Sequence, residues 1–438
     1  MSRTVAVVGA GIVGVCTAMT LQEAGYAVTL LDPEPIGSQT SYGNTGVLVE
    51  NPWLVVNNPG LWKSLARIAR NRDPRVRVDW RFVSSRLPLF AAFLARTSTR
   101  HADAVAHSLR SLLVVSQHQH KRWIATAGAD GLLRRTGWLK VFRTEDSFAA
   151  FERELGLIRT TGTAHQVLSG AAVAALEPAL TARFAKGLLL SDACSLSNPL
   201  ALTQHYFQLF AQRGGALLAM RVSDMAFASG RGWKIRGHDG ASRTFDLVIV
   251  AAGPWSGEIA AKLGYDVPMF WERGYHQHLE PGQGAALGRP VHVVDEGFVM
   301  SPQSQGTRVT SGVEIAHRDS PPDFGQINRA VASAQALAAL GPPIEGTPWM
   351  GSRPSIIDGL PVIGRALLHE NLWFNFGHHH IGLSLSAGSA LLLTALLQDS
   401  QPPVDPAPFD PGRFAADARR SGQRYYAGPA PIPGVNLP

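Results

Sequence analysis

Residues 4–14 read Thr-Val-Ala-Val-Val-Gly-Ala-Gly-Ile-Val-Gly, and a second apolar run further along ends on Asp32. This order predicts a strand, a tight glycine turn, a helix and a second strand, which is the pattern of a dinucleotide site. Gly9 permits the turn, Gly11 lets the backbone approach a pyrophosphate, and Gly14 lets helix and strand pack closely. The helix N-terminus favours phosphate, and Asp32 can accept hydrogen bonds from a ribose hydroxyl. The alternative is a glycine-rich turn without a ligand.

The length and composition predict a folded protein of two domains. The chain has 438 residues, of which 45% are hydrophobic and 17% are charged, so a disordered chain is excluded. We find no apolar stretch of the roughly 18 residues that span a bilayer, and no signal-peptide cleavage pattern. Only Cys16 and Cys194 are present, which excludes a disulfide framework and a cysteine metal site. A reducing, cytoplasmic location is expected.

The net charge of +7 is unevenly distributed. Ten Lys or Arg residues lie between Lys63 and Arg100, against two acids, and apolar residues alternate with cations at helical spacing. One interpretation is peripheral contact of the window 61–100 with anionic lipid on the inner face of the cytoplasmic membrane. The other is a solvated helical face over a core. No nucleic-acid partner is expected, because the aromatic residues do not interleave as a stacking platform.

Parts of one cofactor domain are separated along the chain. Asn198-Pro199 predicts a helix start, residues 245–253 a buried strand, and residues 386–397 an apolar helix. We predict an α/β fold in which a Rossmann-like cofactor-binding domain is interrupted by an α+β substrate domain built on an antiparallel sheet. The predicted cofactor domain comprises 1–58, 146–264 and 350–420, the substrate domain 59–145 and 265–349, and a C-terminal tail 421–438.

Further strings indicate which dinucleotide is bound. They are Thr40-Ser41-Tyr42-Gly43-Asn44-Thr45-Gly46, Ala251-Ala252-Gly253-Pro254-Trp255-Ser256, Arg273-Gly274-Tyr275, Trp349-Met350-Gly351-Ser352-Arg353-Pro354, Asp358-Gly359-Leu360-Pro361-Val362-Ile363-Gly364 and Asn371-Leu372-Trp373-Phe374-Asn375-Phe376-Gly377-His378. With the N-terminal fingerprint, they resemble the FAD-dependent amino-acid oxidoreductases of the D-amino acid oxidase and glycine oxidase group. Within it, the resemblance is greatest to the bacterial D-amino acid dehydrogenases of small-subunit type, from residue 1 to about 420.

The resemblance implies an extended, non-covalent FAD in the cofactor domain, which is then an FAD-binding domain. The residues expected to bind it are Gly9, Ala10, Gly11, Ile12, Val13, Gly14, Asp32, Ser41, Asn44, Thr45, Gly46, Val222, Gly253, Gly377, His379, His380, Ile381 and Gly382. This chain departs from the family pattern in one loop: the family usually shows Gly-His-Gly, but here Gly377 is followed by three histidines.

The resemblance also implies three catalytic residues. Arg353 is expected to hold the substrate carboxylate through two parallel hydrogen bonds, Tyr275 to lie beside the substrate, and His378 to belong to the flavin loop. An internal ion pair is the alternative for Arg353, and a core position for Tyr275. Strand alternation puts Arg273, Tyr275 and Gln277 on one face and Glu272, Gly274, His276 and His278 on the other. We expect the Tyr275 face to line the pocket.

The three consecutive histidines 378–380 are not expected to bind a metal. Histidine ligands usually stand four residues apart on a helix or alternate on a strand, whereas three adjacent side chains point in divergent directions.

The predicted function is oxidation of a D-amino acid at Cα to the 2-oxo acid and ammonia, with hydride transfer to flavin and electrons passed to a quinone or carrier. One alternative is an oxidase that uses oxygen and acts on glycine, sarcosine or a cyclic imino acid such as D-hydroxyproline. A second is a flavin-bearing subunit of a larger oxidoreductase. An NAD-only dehydrogenase leaves the strings at 40–46 and 246–256 unexplained.

Overall fold

The computed structural model describes residues 2–49, 57–228, 230 and 232–414. The predicted C-terminal tail, 421–438, lies outside the described residues.

Within this part of the chain the helices are α1 (Ile12–Glu23), α2 (Gly60–Ala69), α3 (Trp80–Ser85), α4 (Leu87–Leu94), α5 (Thr99–Thr126), α6 (Glu145–Ala149), α7 (Glu152–Thr160), α8 (Gly170–Leu176), α9 (Pro199–Gln212), α10 (Ser256–Lys262), α11 (Gly325–Leu337) and α12 (Gly382–Leu397). The strands are β1 (Thr4–Val8), β2 (Ala27–Leu31), β3 (Val47–Leu48), β4 (Val76–Val78), β5 (Leu133–Arg134), β6 (Trp138–Phe142), β7 (His165–Ser169), β8 (Lys186–Leu190), β9 (Cys194–Leu196), β10 (Ala216–Leu218), β11 (Val222–Ala228), β12 (Gly232–Gly237), β13 (Ser242–Phe245), β14 (Leu247–Val250), β15 (Met269–Pro281), β16 (Val291–Val293), β17 (Phe298–Gln303), β18 (Gly306–Thr310), β19 (Val313–Ile315), β20 (Leu340–Pro343), β21 (Trp349–Ile356), β22 (Val362–Arg365) and β23 (Leu372–Phe376).

The N-terminal fingerprint lies in a six-stranded sheet with the order β10-β2-β1-β14-β23-β22. Its first five strands are parallel, and the edge strand β22 is antiparallel to β23. Val5 on β1 pairs with Val28 on one side and Leu247 on the other. The strands are continuous apolar runs because both faces of a parallel sheet are covered. The predicted Rossmann-like α/β class is confirmed.

Each face of the six-stranded sheet packs against a different layer. On one face lie α1, α5, α9 and α12, whose apolar side chains form one core cluster with the sheet. On the other face lie α10 and a three-stranded antiparallel sheet, β11-β12-β13. The predicted start of α9 is confirmed, since the Asn198 side chain accepts a 3.0 Å hydrogen bond from the Ala201 N–H.

The second large sheet has eleven strands and is mostly antiparallel. Its main path runs β4-β19-β15-β18-β17-β16-β6-β8-β7, and β20 and β21 also pair with β15. The long strand β15 is buried from Met269 to Leu279. β15 therefore forms the centre of this sheet, and β21 runs beside it for eight residues.

Two segments that the predicted boundaries place in the cofactor domain belong to the eleven-stranded sheet. β7 and β8 lie within 146–264 but pair with each other and with β6. β21 lies largely within 350–420 but pairs with β15. β21 pairs with a strand that lies far earlier in the chain, so no local sequence pattern indicates which sheet it joins.

Among the residues that the structure describes, one helical segment, His379–Leu397, is long and apolar enough to cross a membrane, contrary to the expectation from the sequence. More than half of it is buried in the protein. Its helix α12 packs against α1 and α5 in the main core. We interpret it as a core helix.

Candidate active site

The glycine fingerprint forms a tight connection between β1 and α1. Gly9 has a φ of +108°, and a Cβ there would lie 2.5 Å from the Ala251 carbonyl oxygen. A Cβ at Gly14 would lie 1.9 Å from the Gly9 carbonyl oxygen. Helix α1 begins at Ile12, directly after Gly11. The turn thus accepts only glycine at two positions and brings a helix N-terminus to a cavity.

Asp32 stands at the end of β2, on the wall of the same cavity. Its Oδ2 accepts a 2.7 Å hydrogen bond from the Ala10 N–H, and its Oδ1 a 2.9 Å bond from the Glu34 N–H. Burial raises the pKa of Asp32, and these two bonds oppose the rise. The carboxylate is held rigidly at the position where a ribose binds in dinucleotide folds.

One continuous cavity of about 1430 Å³ joins the fingerprint to the other predicted site residues. The predicted residues in its wall are Gly9, Gly11, Ile12, Val13, Asp32, Ser41, Asn44, Thr45, Val222, Gly253, Arg353, Gly377, His378, His379, His380 and Gly382. Ala10, Gly14, Gly46, Ile381 and Tyr275 are not part of the wall. Ala10 and Gly14 shape the turn from behind. The cavity exceeds the usual 300–1,000 Å³ of small-molecule sites, as an extended dinucleotide with a substrate requires.

The loop 40–46 is fastened to the eleven-stranded sheet by Arg308, which sequence reasoning missed. Its Nη1 donates to the carbonyl oxygens of Tyr42 at 2.6 Å and Asn44 at 2.7 Å. Its Nε donates to His278 Nε2 at 3.0 Å, and only 1% of the residue is exposed. Arg308 lies in β18, far along the chain from the loop, so no local pattern identifies it.

Arg353 lies on β21 with its guanidinium in the cavity. Its guanidinium forms no hydrogen bond or ion pair with the part of the chain that the structure describes. The guanidinium covers Gly274 on β15, where a Cβ would lie 2.4 Å from Nη2. Burial lowers the pKa of Arg353, and the nearby Glu272 carboxylate opposes this. A half-buried guanidinium without a partner is suited to bind a carboxylate ligand.

The expectation that the Tyr275 face lines the pocket is wrong. Tyr275 is 1% exposed and lies in the core of the eleven-stranded sheet. Its hydroxyl donates to Glu314 and accepts from Arg273 Nη2 at 2.9 Å and the Asp323 N–H at 3.1 Å. Burial, followed by the bond to Glu314, raises the pKa of Tyr275 to about 12. Alternation along β15 puts Glu272 and Gly274 on the cavity face instead.

The histidine loop 378–380 forms part of the cavity wall. His379 takes a φ of +51°, a conformation that costs a non-glycine residue about 1–3 kcal/mol, and its Nε2 accepts a 3.3 Å hydrogen bond from the Ile356 N–H. Burial lowers the pKa of His378 and His380 to about 3 and that of His379 to about 4. All three rings are therefore neutral near pH 7. Among the described residues, no group of three or more potential ligands could hold a metal ion.

The residues present fit a flavin dinucleotide. The glycine turn leaves no room for side chains, the helix start faces the cavity, and Asp32 stands at the ribose position. Neither Cys16 nor Cys194 is part of the wall. The Rossmann-like sheet and its glycine turn open into a cavity, and this cavity also contains an arginine that is suited to bind a carboxylate. This combination defines a dinucleotide-dependent oxidoreductase.

Comparison with known proteins identifies the family within this class. The chain belongs to the DAO family of FAD-dependent oxidoreductases, whose family model matches residues 4–396. It is 30% identical to a D-amino-acid oxidase of Bradyrhizobium diazoefficiens, over 94% of this chain and 99% of the relative. It is 28% identical to a D-amino acid dehydrogenase of Cereibacter sphaeroides, over 97% of this chain and 99% of the relative. The glycine oxidase of Geobacillus kaustophilus shares the fold, with a TM-score of 0.68, 20% identity and coverage of 93% of this chain and 98% of that chain.

Proposed function

We propose that this chain oxidises a D-amino acid at Cα to the 2-oxo acid and ammonia, and that a quinone or carrier takes the electrons. The observation that carries the proposal is the Arg353 guanidinium, which lies in the cavity beside the histidine loop without a partner among the described residues. Relatives over nearly the whole length that are named D-amino-acid oxidase and D-amino acid dehydrogenase support this substrate class.

The residues of the cavity have different roles in substrate binding. Arg353 binds the substrate carboxylate through two parallel hydrogen bonds, which fixes the orientation of Cα. The neutral rings of His378, His379 and His380 line the wall without adding charge. Bound FAD supplies the acceptor for the hydride of Cα. Water then hydrolyses the released imine.

Dye reduction by the purified holoenzyme tests this function. The panel contains the chiral D-amino acids, their L-isomers, glycine, sarcosine and D-hydroxyproline, and we expect turnover with D-isomers. Arg353→Ala should lower kcat/KM at least about 100-fold with an unchanged flavin spectrum, whereas the exposed Arg365→Ala should match the wild type. Reduction by no D-amino acid would refute the proposal, and a loss below about fivefold would remove Arg353 from the site.

Use of oxygen is the second candidate, because the relative of 30% identity is named an oxidase. Stopped-flow mixing of the substrate-reduced enzyme with oxygenated buffer separates the two. If the protein is a dehydrogenase, oxygen should reoxidise the reduced enzyme slowly. Rapid reoxidation with release of peroxide would establish an oxidase.

The electron acceptor is proposed to reach the cavity from the inner face of the cytoplasmic membrane. Trp62, Trp80 and Leu87 are 53%, 46% and 60% exposed, on a surface rich in arginine and lysine. Lys63 and Arg67 are exposed and also belong to the cavity wall, so this surface borders the cavity. Only part of the window 61–100 is exposed, because Ile68, Phe90 and Phe93 are buried in a core cluster.

Sedimentation with liposomes tests the membrane contact. Vesicles that contain anionic lipid should bind the protein at low salt and release it at high salt, because salt screens exposed charges. The variant Leu87→Gln should bind more weakly at equal net charge, since it replaces an exposed apolar side chain with a polar one. Equal binding to neutral and anionic vesicles, or none, would refute the contact.

A further inference from the structure

A buried carboxylate stands beside the Arg353 guanidinium. Glu272 lies on β15 directly opposite Arg353 on β21, in the cavity wall, and only 1% of it is exposed. Its Oε1 has no hydrogen-bond partner among the described residues. A buried carboxylate oxygen without a partner is costly, so it indicates a group that the empty protein does not supply.

The two charged side chains do not satisfy each other. Their N and O atoms are not within the 4.0 Å of an ion pair, although the strands that carry them are adjacent. Gly274 keeps the space over β15 open, and the guanidinium occupies it. An opposite pair of charges held apart on one wall is complementary to a zwitterion, whose own charges are separated by one carbon atom.

The other charged groups near Glu272 do not compete for this role. On β19, Glu314 lies on the other face of the sheet, where it binds Arg273 and Tyr275. In the loop 378–380 the histidines are neutral near pH 7. Further along the wall, Glu258 and Asp319 pair with Arg318.

The remaining carboxylates of the cavity wall stand elsewhere. Asp32 and Glu34 lie beside the fingerprint, and Glu154 lies on α7. Glu272 is therefore the carboxylate of the described wall that stands next to the proposed carboxylate-binding arginine.

We propose that Glu272 binds the α-ammonium group of the substrate and accepts its proton, while Arg353 binds the α-carboxylate. The step breaks one N–H bond of the ammonium group and forms an O–H bond on Glu272. The substrate nitrogen becomes a neutral amine with a free electron pair, Glu272 becomes a neutral acid, and the total charge is unchanged. The inference rests on the proposed oxidation of amino acids.

The surroundings of Glu272 favour proton acceptance. Burial raises the pKa of Glu272, and the positive charge of Arg353 and the nearby Ser355 hydroxyl oppose the rise. Binding of a substrate carboxylate to Arg353 neutralises that charge, so the affinity of Glu272 for a proton increases when the substrate is bound. Glu272 is thus a stronger base when the substrate is bound than when the site has no substrate.

The pH profile of Glu272→Gln tests the proton transfer. Wild-type kcat/KM for a D-amino acid should be flat between about pH 6 and 8, because Glu272 takes the proton from the ammonium form. In the variant only the neutral amine reacts, so kcat/KM should fall at least about thirtyfold at pH 7 and then rise about tenfold per pH unit. Glu280→Gln, an exposed position on the same strand, should keep the wild-type profile. A loss that is equal at every pH, or no loss, would overturn the proposal.

A binding measurement separates this inference from the proposed function. Calorimetry on the anaerobic, dithionite-reduced holoenzyme compares D-alanine with propionate, which lacks only the amino group. Glu272→Gln should weaken D-alanine at least about tenfold and leave propionate equal or tighter. Equal weakening of both ligands would assign Glu272 a structural role. If wild-type turnover with all D-amino acids is absent, the proposed function fails, and the two ligands still decide the role of Glu272.

Discussion

The substitution Gly274→Ala displaces one side chain of the active site and little else. Gly274 lies on β15, and a Cβ there would be 2.4 Å from Nη2, 2.7 Å from Cζ and 3.0 Å from Nη1 of Arg353. These atoms are the end of a flexible side chain, so the guanidinium moves while the strand keeps its position. Alanine is also the better residue inside a strand, by about 0.5–1 kcal/mol. We therefore expect a stable, FAD-loaded variant with a misplaced guanidinium.

The expected loss follows from the hydrogen bonds that the displacement breaks. One charge-assisted bond to a substrate carboxylate contributes about 1.5–3 kcal/mol, which corresponds to about 10- to 150-fold in kcat/KM. Steady-state dye reduction measures this loss, and flavin absorbance and thermal unfolding verify the fold. Gly156→Ala on α7, where a Cβ meets open space, is the control and should keep wild-type kcat/KM. Wild-type kcat/KM in Gly274→Ala would refute the assignment of the guanidinium to the substrate.

Three further predictions concern the turn, the core and acid stability. Gly14→Ala places a Cβ 1.9 Å from the Gly9 carbonyl oxygen, so the purified variant should be colourless or unfolded; a normal flavin spectrum would contradict the packing of this turn. Tyr275→Phe removes a buried hydroxyl that lies outside the cavity. The free energy of unfolding should fall by about 1–3 kcal/mol, while kcat/KM should change less than about threefold. A larger change in kcat/KM would show that Tyr275 contributes to the active site. Burial alone would raise the pKa of Asp358, but the ion pair with Arg413 lowers this pKa below its ordinary value of 3.8. The stability that the carboxylate contributes is therefore present above about pH 3.8 and is lost as the pH falls below that value. Urea unfolding of Asp358→Asn should therefore show a deficit at pH 7 that narrows below about pH 4, and a constant deficit would contradict the assignment.

The cofactor half of the site could be predicted from the sequence because its signals are local. The turn at Gly9 and Gly14 and the acid at Asp32 belong to one β-α-β unit, whose spacing is set by the geometry of the turn. The helix start at Asn198 is local in the same sense, since the cap is formed within three residues.

The substrate half could not be predicted in the same way, because its geometry depends on contacts between distant strands. Alternation on β15 separates Glu272 from Tyr275, but it does not say which face meets the cavity. That choice is made by β21, which pairs with β15 and puts Arg353 over Gly274. Likewise, Arg308 reaches the loop 40–46 only through the folded sheet.

The interleaving of the two sheets has a consequence for synthesis of the protein. Val5 pairs with Leu247, and β14 in turn pairs with β23, which begins at Leu372. A chain that leaves the ribosome from its N-terminus therefore carries the glycine fingerprint for most of translation without the strands that complete its sheet. Such long sequence separations slow folding, because the loops must close before the contacts form. We therefore expect the completed polypeptide, and not the nascent chain, to bind FAD.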